Sequence, residues 1–167
     1  TATEIEVRID DNFAGEKVET LWDGKYKEPA YDAATQTYTI YEESELAWLA
    51  AAVNGTLTRA SEPQDFAGKT FKLAKDIDLD LNGERWTPIG LNADSANKFK
   101  GTFDGNGKTI YNLLVSTRDG YTAAGLFGAV QGTVKNFTIE NATVEHVITS
   151  SNGNSSNGIA VVAGSIY

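Results

Sequence analysis

Apolar residues alternate with polar ones at the start of the chain, fall once at helical spacing, and then return to alternation in short runs. Ile5, Val7 and Ile9 alternate with Glu4, Glu6, Arg8 and Asp10, the period of a half-buried strand. Residues 11 to 37 keep no period; they carry Gly15, Gly24 and Pro29, with Trp22, Tyr26 and Tyr31 as aromatic anchors. Strand character resumes from Tyr38 to Tyr41. Ser44 then offers an N-cap oxygen, Leu46, Leu49, Ala50 and Val53 recur at helical spacing, and Asn54 with Gly55 gives a C-terminal stop, so a helix is expected over about 45–53. Counted from Ser44, Ala47 stands where a capping box needs Glu or Gln, and the helix is therefore expected to rely on packing.

Beyond Gly55 every strong signal is β: Thr70 to Leu73, Ile77 to Leu81, Trp86 to Ile89, Phe99 to Phe103, Thr109 to Val115, Leu126 to Val130 and Val134 to Ile139. Gly101, Phe103, Thr109, Ile110 and Asn112 recur 24 positions later as Gly125, Phe127, Thr133, Val134 and Asn136. Such a period predicts a parallel β-solenoid, each coil burying its apolar face only against the next, with the short helix capping its N-terminal end. On that period Phe103 stacks over Phe127, Ile110 over Val134, and Asn112 forms a polar ladder with Asn136. Asp104, Gly105, Asn106 and Gly107 are the single clear two-residue hairpin candidate, and the fixed period fits a parallel coil better than a hairpin sheet. The expected division is a capping segment over 1–37 and the solenoid over 38–167.

Tyr38 to Ile40, Glu45 to Ala50, Val53-Asn54, Phe71 to Leu73, Asp76 to Leu79, Trp86 to Gly90, Phe99 to Gly105 and Gly125 to Gly128 together resemble the GLUG-motif repeat proteins. The resemblance covers about residues 38–139. It implies a right-handed β-helix, a place in a surface or secreted bacterial protein of the Bacteroidetes type, and an adhesive or binding role. The first 35 residues lie outside it, and Val161 and Val162 stand where another Gly-Leu-Phe-Gly unit would be expected.

Charge narrows the partners. The chain has 23 acidic against 14 basic residues, a net charge of −9, and no basic run, which argues against nucleic acid and anionic membranes. With no cysteine there are no disulfides, Cys-ligated zinc or thiol chemistry. No apolar run approaches the roughly 18 residues of a membrane span, so no membrane insertion by this segment is expected. The absence of Met and the abrupt apolar stretch from Ile159 to Tyr167 read as a trimmed piece of a longer exported protein, whose uncapped last coil invites end-to-end self-association.

Candidate chemistry is sparse. Asp76, Asp78 and Asp80 alternate on one strand face, where an oxygen-seeking cation such as calcium could bind; an EF-hand loop starting at Asp76 would want Gly and Glu where Leu81 and Thr87 stand. A solvated face opposite Ile77, Leu79 and Leu81 explains the same pattern. Asp104 is a candidate ligand contact within turn chemistry. His146 is the single histidine and lacks a nucleophile-elbow serine, while Arg8, Arg59, Arg85 and Arg118 are scattered, so no catalytic residues and no cofactor beyond that calcium are expected.

Sugar rings stack on exposed aromatics, which makes Trp22 and Tyr111 the candidate ligand contacts, Tyr111 because it alternates away from Ile110. Tyr26, Tyr31 and Tyr121 are further exposed candidates, whereas Trp48 and Trp86 read as core. The Ser/Asn/Gly-rich stretch from Ser150 to Gly158 reads as an excursion from one face, and Asp94, Ser95 and Ala96 match a short O-glycosylation pattern. The sequence therefore points to a non-catalytic, extracellular or cell-surface adhesin-like module that presents a β-helix surface to a glycan or a host or bacterial surface protein. A polysaccharide-degrading enzyme fragment and a structural spacer are the alternatives.

Overall fold

The computed structural model describes residues 24–59, 62–80, 84–91, 97–117, 123–146 and 158–166. The expected strand at Ile5 to Ile9, Trp22, Tyr121, the Asp94-Ser95-Ala96 pattern, the excursion after Ser150 up to residue 157 and the side chain of His146 lie outside them. In chain order the elements are β1 (Ala30–Asp32), β2 (Thr37–Ile40), α1 (Glu43–Asn54), β3 (Thr70–Leu73), β4 (Ile77–Asp78), β5 (Thr102–Tyr111), β6 (Leu114–Thr117), β7 (Ala123–Ala124), β8 (Phe127–Val130), β9 (Thr133–Glu140), β10 (Thr143–His146), β11 (Gly158–Ile159) and β12 (Ala163–Ile166).

The chain is a parallel β-solenoid. β2, β3, β5 and β9 stack in parallel, β4 lies beside the second half of β5, and β6 with β10, β7 with β11 and β8 with β12 form further parallel pairs. Interior side chains rise in columns: Tyr38, Phe71, Phe103 and Val134 on one face, Ile77, Ile110 and Ile139 on the next, Ile89, Phe127 and Ala163 on a third. Phe71, Phe103, Ile110 and Phe127 are fully buried, and each such side chain contributes about 1.5–3 kcal/mol by leaving water.

The coil is longer than the 24-residue repeat. Phe103 pairs with Val134, 31 positions on, and Ile110 with Ile139, 29 positions on. Phe103 and Phe127 do touch, edge to face with ring centroids 5.3 Å apart, but across the interior from different sides of the coil. The repeat thus records a local need met twice per coil, a glycine followed by an inward Phe. The true counterpart of Leu126, Phe127 and Gly128 is Val162, Ala163 and Gly164, with Phe127 N donating to the Val162 carbonyl at 2.8 Å.

No hairpin forms at Asp104 to Gly107. β5 runs through this segment, bending where Asn106 (φ 53°) and Gly107 (φ 73°) turn left-handed, and shifting register against β9. The hairpin lies instead between β1 and β2, where the Asp32 carboxylate accepts from the Ala34 amide at 2.9 Å and the Thr35 hydroxyl at 2.8 Å. A second bend at Asn112 (φ 59°) divides the expected Thr109 to Val115 strand into the end of β5 and β6.

The helix begins earlier than expected. Glu42, not Ser44, is the N-cap residue and makes no side-chain cap. Glu45 is then at N3, and its carboxylate accepts the Tyr41 amide at 2.6 Å, a capping-box contact displaced by one residue. Gly55 (φ 68°) closes the other end, with the Thr56 amide donating to the Ala51 carbonyl at 2.8 Å. Residues from Glu45 to Asn54 are all buried, so the helix is enclosed rather than half-exposed.

Candidate functional site

Parallel stacking places like residues above one another at each bend, and the side chains there hydrogen-bond from coil to coil. Asp76 accepts the Thr109 amide at 2.8 Å. Asp78 accepts from the Asp80 amide at 2.9 Å and from Asn112 Nδ2 at 2.8 Å, and Asn112 Oδ1 accepts from Asn141 Nδ2 at 3.4 Å. Asp104 accepts from the Asn106 amide at 2.9 Å and from Asn136 Nδ2 at 3.1 Å, with Lys135 Nζ 3.7 Å away. The Asn106 amide, then the Asn136 side chain, hold the Asp104 carboxyl below its usual range. The expected Asn112 to Asn136 ladder is therefore two ladders: Asp78, Asn112 and Asn141 at one bend, Asp104 and Asn136 at the other.

Asp76, Asp78 and Asp80 do not form one regular strand face, since β4 holds only Ile77 and Asp78; Asp76 and Asp80 are exposed and Asp78 is half-buried. Among the described residues no group of three His, Cys, Asp or Glu side chains is placed to hold a metal ion. Tyr111 is half-buried, with Asp78 and Glu140 as its strand neighbours, and Asp104 lies on the far side of the Asn106 bend. The described candidates thus divide between the two bends and do not come together in one place. Trp48 and Trp86 are buried, and Trp86 Nε1 donates to the Leu126 carbonyl at 2.9 Å.

A concave site lies elsewhere, at the head of β3 and β5. Phe66 adopts φ 55°, a left-handed conformation unusual for a bulky side chain. It is held by the Asp65 carboxylate accepting the Ala67 amide at 3.1 Å, by Lys69 N donating to the Phe66 carbonyl at 3.0 Å, and by Lys100 N donating to the Asp65 carbonyl at 2.7 Å. The strained turn places the Phe66 ring edge-on to Tyr38 and to Phe71, while Tyr38 stacks flat on Phe71 at 4.5 Å and meets Tyr31 at 4.4 Å. Beside Tyr38 and Phe66 opens a cleft of about 550 Å³, lined also by Gln64, Asp65, Lys69 and Lys100.

Lys69 Nζ lies 5.1 Å from the Tyr31 ring centroid and donates to the Tyr31 hydroxyl at 2.6 Å and to Gln36 Oε1. Lys100 Nζ pairs with Asp65 at 2.9 Å. The Ala67 amide, then Lys100, hold the Asp65 carboxyl below its usual range, and burial raises the Tyr38 phenol. On the outward face of the same strands Thr37, Thr70, Thr102 and Thr133 align across β2, β3, β5 and β9, beside a second row of Thr39, Lys72, Asp104 and Lys135. Sequence reading missed this cleft because its walls come from a turn and two separate coils; the one available signal was Phe-Ala-Gly-Lys before a strand, at Phe66 to Lys69.

No family model matches the chain, and no solved structure matches it. Over 78 residues it is 40% identical to a protein of Evansella cellulosilytica named as a Gly-rich membrane protein, a match covering 43% of this chain and 9% of that protein. Over 121 residues it is 31% identical to Halomucin of Haloquadratum walsbyi, covering 71% of this chain and 1% of that protein. The chain spans less than a tenth of the length of either relative. No helix among the described residues is long and apolar enough to cross a membrane.

Proposed function

We propose that the chain is a non-catalytic, adhesin-like module of a larger exported cell-surface protein, presenting its solenoid surface to a glycan or protein ligand. The observation that carries this reading is the use of the surface carboxylates. Asp76, Asp78 and Asp104, which a polysaccharide-cleaving β-helix could employ as acid, base or cation ligands, are engaged as ties between coils. A relative named as a membrane protein supports a place in the cell envelope, and the GLUG-type motifs support the same location. A binding module needs a rigid scaffold with a concave, partly aromatic recess, and the Tyr38 and Phe66 cleft supplies one.

A glycan array, read with and without calcium and repeated on a variant carrying Asp76→Asn, Asp78→Asn and Asp80→Asn, tests the reading. Binding that survives both changes is expected. A calcium-dependent signal lost in the variant would move the site to β4. Release of new reducing ends from any polysaccharide would replace the reading with the enzyme fragment, and silence towards glycans and surface proteins alike would leave a spacer.

A further inference from the structure

We infer that the last coil docks a second copy of this chain, the two meeting tail to tail about a two-fold axis through the bend at Asn136, with β9 antiparallel to β9. The inference is independent of what the solenoid binds, and three observations carry it. The first is missing cover: none of the described residues beyond Val130 is buried. Val134, Phe137 and Ile139 pack on the core yet stay partly exposed, whereas Phe71 and Phe103 in the column of Val134, and Ile77 and Ile110 in that of Ile139, are buried. A recess of about 320 Å³ opens beside them, lined among others by Val130, Thr133, Val134, Val162 and Ile166. The last coil thus carries core residues without the covering coil that buries their counterparts.

The second observation is the edge. β9 has eight residues and, among the described strands, pairs only with β5. The Thr133 amide donates to the Gly101 carbonyl and the Glu140 carbonyl accepts from the Asn112 amide, so by strand alternation the N–H and C=O groups of Val134 and Ile139 point to the open edge. At the other end of that sheet the edge strand is β1, three residues long. A head-to-tail contact would leave most of β9 unpaired. The same end of another copy offers an edge of equal length, and like ends meet about a two-fold axis, which makes the paired strands antiparallel.

The third observation is register. With the axis between Asn136 and Phe137, Val134 of one copy and Ile139 of the other exchange N–H···O bonds, apolar against apolar, and Thr133 stands opposite Glu140 in a pair without such bonds. On the outward side Lys135 lies diagonal to Glu140, opposite in sign, and no like charges face each other.

Sedimentation equilibrium combined with cysteine cross-linking tests this. A monomer in equilibrium with a dimer is expected, with nothing larger. The chain has no cysteine of its own, so Thr133→Cys combined with Glu140→Cys gives a clean readout. Under mild oxidation this double variant should run as a disulfide-linked dimer, because the Cα atoms of a pair without hydrogen bonds stand about 4.5 Å apart, within disulfide range. Within one copy the two positions lie seven strand steps apart, about 20 Å, too far to bridge. Either single variant should stay uncrosslinked, since neither position faces itself across the axis. Ile139→Pro removes an N–H that points to the open edge and none that bonds β5, and should weaken dimerisation about tenfold. A monomer at every concentration, an open-ended series of larger species, or single variants that cross-link as readily as the double one would each overturn the inference. So would a dimer that the double variant fails to trap. Should Ile139→Pro fail to fold, the cross-link alone decides.

Discussion

Asn54 holds Gly90 through its side chain: Oδ1 accepts the Gly90 amide at 3.0 Å, while Nδ2 donates to the Pro88 carbonyl at 2.9 Å. The same Oδ1 accepts the Leu91 amide at 3.1 Å. The last residue of α1 is thereby fastened to the next stretch of coil by a 6% exposed polar side chain. Asn54→Leu orphans two backbone N–H groups and a carbonyl, so a loss of about 3–5 kcal/mol is expected in urea unfolding. A loss under about 1 kcal/mol would mean that packing alone seats the helix.

Two glycines separate close approach from backbone conformation. A Cβ on Gly128 would overlap the Gly90 carbonyl oxygen of the preceding coil, and neither backbone can retreat without breaking the β8 pairing. Gly107, at φ 73°, has open space around its missing Cβ. Gly107→Ala should therefore cost about 1–2 kcal/mol, the left-handed penalty, and Gly128→Ala should cost more than 3 kcal/mol or prevent folding. Equal melting temperatures for the two variants would contradict this.

Acid should loosen the coils. Asp104, Asp65 and Asp32 titrate below the ordinary carboxylate value of 3.8, held chiefly by the Asn106 amide, the Ala67 amide and the Thr35 hydroxyl respectively. Because the folded values lie below the unfolded one, the stabilisation is present above that value and is lost as pH falls through the folded values. Thermal midpoints should be flat from neutrality to about pH 5 and decline below about pH 4. A midpoint that holds or rises below pH 4 would show these bonds to be inconsequential.

The Asp78 and Asn112 contact distinguishes a ladder from a latent cation site. Asn112→Asp would set a second carboxylate where the amide now donates at 2.8 Å, and repulsion together with the lost bond should destabilise the chain by about 1–3 kcal/mol. Rescue of that variant by calcium, with no calcium effect on the parent, is expected if the carboxylates are ties. Calcium raising the parent's melting temperature would favour the cation reading.

Ile166 (78% exposed), Ile159 (52%) and the pair Val161 and Val162 (41% each) leave apolar surface on the last described strands. Sedimentation of this chain should show concentration-dependent association, and Ile166→Lys should suppress it. A clean monomer at high concentration would sink the prediction.

The solenoid was legible because its demands are local: alternating apolar residues for strands, Asn and Gly at bends, a helix with a glycine stop. The coil length was not, because Gly101 to Phe103 and Gly125 to Phe127 answer the same steric demand on two sides of one coil, and sequence similarity cannot tell a second side from a second coil. The Asp104 turn offered a hairpin for a related reason, since left-handed residues serve a bend between parallel faces as well as a hairpin. Of the site, single residues were legible and convergence was not. Asp76, Asp78 and Asp80 read as a cation face because alternation shows direction but not partners, and the partners at Thr109 and Asn112 come from the next coil.

β1 pairs with the outer edge of β2 in the antiparallel sense, while every later pairing in that sheet is parallel. On this side the parallel stack meets an antiparallel hairpin rather than another parallel strand. In a one-dimensional array of this kind local opening follows local burial, so amide exchange should be slowest around β2 and β3, where Ile40, Phe71 and Leu73 are fully buried, and fastest around β11 and β12, where Ile159 and Ile166 are exposed. The order also matches synthesis: β2 and β3 are made before β10 to β12, so each later coil meets a finished template as it leaves the ribosome.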